Sequence, residues 1–139
     1  MNLRTSALAA MCSVIPLGSC ATAPDQITHT PKAQKELGEA LAGYKAGPPV
    51  ACVQPFRKND MQIIDDYTLL FRNMNTIYVQ HPRGGCPGLR LGGYTLVTRP
   101  FNVNQMCSGD INRVVDLQTG TGVGSCVFSE FVPYTKPAG

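Results

Sequence analysis

The sequence predicts a small, mainly β domain: an antiparallel β-sandwich or barrel of about six or seven short strands, led by one N-terminal helix and stapled by two disulfides. Three observations carry this. After Val50, short runs rich in β-branched and aromatic residues recur at near-even spacing between turn signals. Gly and Pro supply 14 and 11 of the 139 residues, and charged residues only 15% against a usual value of about 25%. That balance favours short elements joined by turns over long helices. Third, an even set of four cysteines remains once an N-terminal leader is set aside.

The leader has three zones. Met1-Asn2-Leu3-Arg4 carries a positive charge, Ala7 to Leu17 is an apolar run interrupted by Ser13, and Leu17-Gly18-Ser19-Cys20 closes it. A charged start, a short apolar middle and a small-residue end make a secretory signal. A run this short cannot span about 30 Å of hydrocarbon, which needs about 20 residues. The closing tetrapeptide resembles the lipobox of bacterial lipoproteins: a branched apolar residue, two small residues, then cysteine. The resemblance implies cleavage before Cys20 and diacylglycerol on its thiol, through a thioether that only a thiol can form. Two or three acyl chains anchor stably where one is marginal, at about 0.8 kcal/mol per buried CH₂. Ala21 follows in place of the Asp that marks inner-membrane retention in that class, so the implied destination is the outer membrane, facing the periplasm. The competing reading is an ordinary signal cut after Ala21-Thr22-Ala23, which would leave Pro24 as a poorly tolerated first residue. Residues 1–19 are therefore read as leader, 20–30 as a polar flexible tether, and 31–139 as the single domain.

Within the domain, Thr30 can cap a helix and Pro31 suits its first position. Leu37, Leu41 and Tyr44 recur on one face, and Gly43 or Gly47 ends the helix before Pro48-Pro49. Val50 to Phe56 reads as the first strand. Gln62 to Asp65 and Thr68 to Arg72 flank Asp66-Tyr67 as a hairpin, and Thr76 to Gln80 follows a tight turn at Asn73-Met74-Asn75. Arg83 to Gly88 is a loop by composition. Tyr94 to Thr98 and Asn112 to Leu117 read as strands, Gly120 to Gly124 as a turn, and Cys126 to Val132 as the last strand.

Setting aside Cys12 and Cys20 leaves Cys52, Cys86, Cys107 and Cys126. In an exported domain these read as two disulfides, with three pairings open. The preferred pairing is Cys52–Cys126, joining the opening and closing strands of a sheet that closes on itself, with Cys86–Cys107 closing a loop of about 20 residues. Neither the cysteines nor His29 and His81 stand at metal-ligand spacing, so no metal is expected. No C-x-x-C redox motif and no cofactor motif is present.

The segments Cys86-Pro87-Gly88-Leu89, Met106-Cys107-Ser108-Gly109-Asp110, and Cys126 with Phe131 and Pro133 resemble a set of small exported proteobacterial proteins, grouped as the domain of unknown function numbered 6491. Leu41-Ala42-Gly43 through Ala46-Gly47-Pro48 is similar too, and the resemblance covers residues 35 to 134. Met106 stands where leucine is more usual, and Val127-Phe128-Ser129 where a Leu-Gly pair is. The family implies an exported β domain and brings no activity or cofactor with it.

Function is less legible. Net charge falls from +3 to +2 when Arg4 leaves with the leader, and Arg57, Lys58, Arg72, Arg83, Arg90, Arg99 and Arg113 form no basic stripe. With no Trp either, a nucleic-acid partner is not expected. Gly120 to Ser125 resembles a phosphate loop but lacks the following helix and the Lys-Ser/Thr that such loops need. Asp65 and Asp66 are neighbours on a strand and face apart, so they do not form an acid/base pair. Asp66 and Asp110 read as turn residues, and His81 as a lone surface histidine. Ser19, Ser108, Ser125 and Ser129 lack the nucleophile-elbow pattern. Two readings follow. The first is a non-enzymatic envelope module, tied to a membrane by Cys20, with an envelope protein or peptidoglycan as partner and Arg83 and Arg90 meeting an anionic ligand. The second is a small hydrolase, for which a pocket holding His81 with Asp110 or Asp116 would be the sign.

Overall fold

The structure is a computed structural model that describes residues 27–54, 60–99 and 104–137. The helix forms where its signals stand. Thr30 Oγ1 accepts the Ala33 N–H at 3.2 Å, Pro31 opens α1 (Pro31–Ala40), Leu41 caps it, and Gly43 turns away at φ 78°. Its apolar face, with Ala33 fully buried and Leu37, Leu41 and Tyr44 partly so, packs on Ile64, Leu70, Ile77 and Val79.

Ten strands are present among the described residues: β1 (Lys45–Ala46), β2 (Cys52–Val53), β3 (Met61–Asp65), β4 (Thr68–Asn73), β5 (Thr76–Gln80), β6 (Tyr94–Thr98), β7 (Met106–Cys107), β8 (Ile111–Asp116), β9 (Gly122–Val127) and β10 (Phe131–Thr135). All pair antiparallel. They form a five-stranded sheet ordered β1-β10-β5-β4-β3, a three-stranded sheet β6-β8-β9, and the pair β2-β7. The strands outnumber expectation because several are only two residues long and carry no periodicity to read. Among the described residues the five-stranded sheet ends at β1 and β3 and does not close into a barrel.

The β4 run Thr68-Leu69-Leu70-Phe71 shows why the sheet is buried on both faces. Leu70 points to the helix side. Leu69 and Phe71 point the other way, into a core shared with Val114, Leu89, Phe128 and Phe131. Successive strand residues alternate in face, so an unbroken apolar run means cover on both. Phe71, Phe128 and Phe131 meet with centroids 5.4–6.2 Å apart, two of the contacts edge-on.

Three expectations are corrected. The first strand is shorter than Val50 to Phe56: only Cys52–Val53 is ladder, with Val50 bridging Phe131, while Phe56 lies outside the described residues. Pro48 and Pro49 bring no N–H to extend that ladder. Second, Cys126 to Val132 is not one strand. Residues 126 and 128 are buried, then 131 is buried, and a two-residue period cannot do this without a break. The break at 128–130 carries the chain from the smaller sheet to the larger one. Third, the turn expected at Gly120 to Gly124 sits earlier. Asp116 Oδ1 accepts the Gln118 and Thr119 N–H groups at 2.7 and 2.9 Å, and Gly122 and Gly124 belong to β9. A Cβ on Gly122 would lie 2.5 Å from Arg113 Nη2, so glycine there makes room for the arginine that crosses it.

All four cysteines are disulfide-bonded, but the preferred pairing is wrong. Cys52 pairs with Cys107, its direct partner in β2-β7, and Cys86 pairs with Cys126. Cys52 lies in β2 and Cys126 in β9, which belong to different sheets, so no ladder brings Cys52 beside Cys126.

Candidate functional site

The β3–β4 hairpin organises a side-chain constellation that combines polarity with concavity. Asp65 and Asp66 do diverge, and each builds a different wall. Asp65, nearly buried, accepts the Tyr67 N–H on Oδ1 at 2.9 Å and the His29 Nδ1–H on Oδ2 at 2.6 Å. It thereby ties down the segment ahead of the helix. Asp66 faces the loop: its Oδ2 accepts the Gly88 N–H at 3.1 Å, its Oδ1 the Arg90 N–H at 3.0 Å, and its carbonyl the Cys86 N–H at 2.6 Å. The Cys-Pro-Gly-Leu loop is thus held by one carboxylate and one disulfide.

Tyr67 sits at the tip of the hairpin, 46% exposed, with its ring against Gly85. A Cβ on Gly85 would come within 2.7 Å of that ring, and Gly85 is at φ 73°. Only glycine fits both constraints.

Two hollows share Tyr67 and Thr28. The larger, about 700 Å³, is lined by Ile27, Thr28, Tyr67, His81, Arg83 and Gly84, with Pro82. The smaller, about 420 Å³, is lined by Thr30, Lys32 and Arg90 with Asp65 and Asp66. The two arginines singled out from the sequence therefore fall one in each hollow. Their circumstances differ. Arg90 Nη1 donates to the Ile64 carbonyl at 2.8 Å and Nη2 stands 3.9 Å from Glu36, so this side chain also braces β3 against α1. Arg83 is exposed, and its backbone N–H donates to Val127 at 2.8 Å.

His81 is not a lone surface histidine. Its ring is partly buried with Nδ1 3.2 Å from both the Tyr67 carbonyl and Thr68 Oγ1, and the His29 ring lies 6.3 Å away. A carbonyl can only accept, so Nδ1 carries the proton and Nε2 is the basic atom. Burial pushes the pKa below the usual 6.5. The Tyr67 hydrogen bond opposes this, His29 adds to it, and Asp65 opposes it. The carboxylate near His81 is thus Asp65. Asp110 is buried elsewhere and accepts the Cys107 N–H at 2.7 Å, while Asp116 closes the β8–β9 turn, where the Thr119 and Gln118 N–H groups lower its pKa.

Sequence reasoning missed His29 and Tyr67. His29 lies in a polar stretch read as tether, and its partner is 36 residues away. Among the described residues, Ile27 and Thr28 ahead of the helix already line a hollow. Among the described residues, no group of three His, Cys, Asp or Glu side chains is arranged to hold a metal ion, and no helix is long and apolar enough to cross a membrane. The chain matches no family model, no curated protein and no solved structure.

Proposed function

We propose that this chain is an exported lipoprotein, held to the periplasmic face of the outer membrane by lipid on Cys20, whose β domain binds an anionic envelope ligand without transforming it. Membership of the exported family sharing the Cys-Pro-Gly-Leu and Met-Cys-x-x-Asp segments is part of this reading. The observation that carries the binding role is the pair of hollows at Tyr67, with Arg83 in one and Arg90 in the other. Binding sites of this kind combine a concave, largely apolar wall with a few convergent polar groups, and Ile27, Pro82 and the Tyr67 ring supply the apolar part.

The test is affinity capture from envelope membranes by the wild type and by an Arg83→Ala/Arg90→Ala variant. A charge-assisted contact contributes about 1.5–3 kcal/mol, so the double variant should retain its ligand at least about tenfold less well. Arg90 also braces the fold, so the comparison is made below the melting temperature of both proteins. Equal capture by the two would remove the arginines from the role.

A small hydrolase is the second reading, and one observation favours it: the His29–Asp65 pair beside His81. It needs an activated nucleophile. The His81 Nδ1–H donates toward Thr68 Oγ1, so it cannot take the Thr68 proton, and the described lining of the larger hollow offers only the Thr28 and Tyr67 hydroxyls.

A further inference from the structure

The larger hollow has a charge balance and a position that together narrow its ligand. Its described lining contains two basic side chains, Arg83 and His81, two hydroxyls, Thr28 and Tyr67, and no carboxylate. Asp65 lines the adjoining hollow and is engaged by His29 and the Tyr67 N–H. Lys32 lies in the adjoining hollow, and both Asp66 oxygens are occupied by backbone donors. An anion entering here meets a permanently charged guanidinium and an imidazole that becomes a second donor by taking up a proton at Nε2. Ile27 and Pro82 give the same hollow an apolar flank.

Position comes from chain length. Ile27 and Thr28 form one wall, and Cys20 is seven residues before Ile27. At about 3.3–3.6 Å per residue at full extension, that distance is at most about 25 Å whatever path the residues take. A lipidated Cys20 would therefore keep this wall close to the bilayer surface.

We infer that the hollow lined by His81 and Arg83 receives the phosphodiester of a phospholipid headgroup at the membrane to which Cys20 is tied, with the apolar flank against the glycerol. The inference deepens the proposed function and rests on its anion-binding reading. A phosphodiester keeps one negative charge across the neutral range, so any pH dependence of binding belongs to the protein. Burial keeps His81 neutral near pH 7, and the bound anion favours its charged form, so binding takes up a proton. Affinity then rises as pH falls, by up to about tenfold per unit between the pKa values of the free and bound protein.

The test uses the mature chain from residue 20 carrying Cys20→Ser, so that neither the apolar leader nor an acyl anchor obscures the result. Co-sedimentation with phosphatidylglycerol vesicles is measured at pH 7.5 and 5.5, and glycerophosphoglycerol, the deacylated headgroup, is titrated in parallel while the His81 ring is followed by NMR. The expected outcome is vesicle binding at least about tenfold tighter at pH 5.5. It should be lost in Arg83→Ala, kept in Arg72→Ala (an exposed arginine on β4), and insensitive to pH in His81→Asn. Glycerophosphoglycerol should raise the His81 pKa. If it does so and the vesicles do not bind, the phosphate comes from solution and the lipid assignment is overturned, while the anion-binding function stands. Equal losses in Arg83→Ala and Arg72→Ala would reduce binding to diffuse charge and overturn the site. If neither probe binds while envelope capture still depends on Arg83, the phosphate class is wrong and the proposed function survives; if that capture is also independent of Arg83, both fall.

Discussion

Replacing Cys86 and Cys126 together by alanine lowers unfolding stability by at least about 4 kcal/mol. The bond spans 40 residues, and the loop-closure entropy returned to the unfolded chain at that length is worth about 4 kcal/mol. A further loss comes from the native state, because both cysteines are buried in the core beside Leu89, Val114 and Phe128. Against a total of about 5–15 kcal/mol for a domain, this is a large fraction. At about 4–8 °C per kcal/mol for a domain near this size, the melting temperature should fall by roughly 15–30 °C. The Cys52–Cys107 bond spans a comparable 55 residues, but Cys52 is exposed at the surface. Graded reduction should therefore open Cys52–Cys107 first, and peptide mapping of the alkylated intermediate checks the order. A Cys86–Cys126 pair that reduces first, or a double variant as stable as the wild type, would contradict the burial argument.

Gln80→Met lowers stability by about 2–4 kcal/mol, although it conserves volume and its side chain lines neither hollow. The Gln80 side chain is fully buried and makes three hydrogen bonds to one residue. Nε2 donates to the Ser129 carbonyl at 3.0 Å, while Oε1 accepts the Ser129 N–H at 3.0 Å and its hydroxyl at 2.9 Å. Methionine would leave the Ser129 backbone groups without these partners, at about 1–3 kcal/mol each if they remain dry. The position matters because Ser129 sits in the break where the chain leaves β9 for β10, and Gln80 itself pairs with both Leu69 and Phe131 in the five-stranded sheet. Ser129→Ala removes only the hydroxyl bond and should cost about 1 kcal/mol. Urea unfolding of the two variants measures the difference; equal losses would mean that the backbone bonds of Ser129 are satisfied by water.

What was legible in the sequence was local. Asp66-Tyr67 and Asn73-Met74-Asn75 place three strands to within a residue, because each turn and its flanking β-branched or aromatic residues lie in one short stretch. Met74 is almost fully exposed at φ 51°, so the chain tolerates a left-handed residue where Asn or Gly would be easier. The Thr30 cap was legible for the same reason. What escaped was relational. Disulfide pairing depends on which strands are neighbours, and β2 lies beside β7, not beside the end of the chain. The break after β9 is visible only as a change of phase, and phase is hidden when Phe128 and Phe131 both enter one core. His29 is a polar residue in a polar stretch until its partner Asp65 is known. Of the site, Arg83 and Arg90 were found through charges flanking a loop, while Tyr67 and His29 had no signal at short range.

The central claim is that Cys20 fixes this domain to a membrane, and metabolic labelling tests it most directly. Wild type and Cys20→Ser are expressed with labelled palmitate in a bacterium that processes lipoproteins, and the labelled protein is compared at equal expression. The expected result is label on the wild type and none on Cys20→Ser. Equal labelling of the two, or none on either, would contradict it.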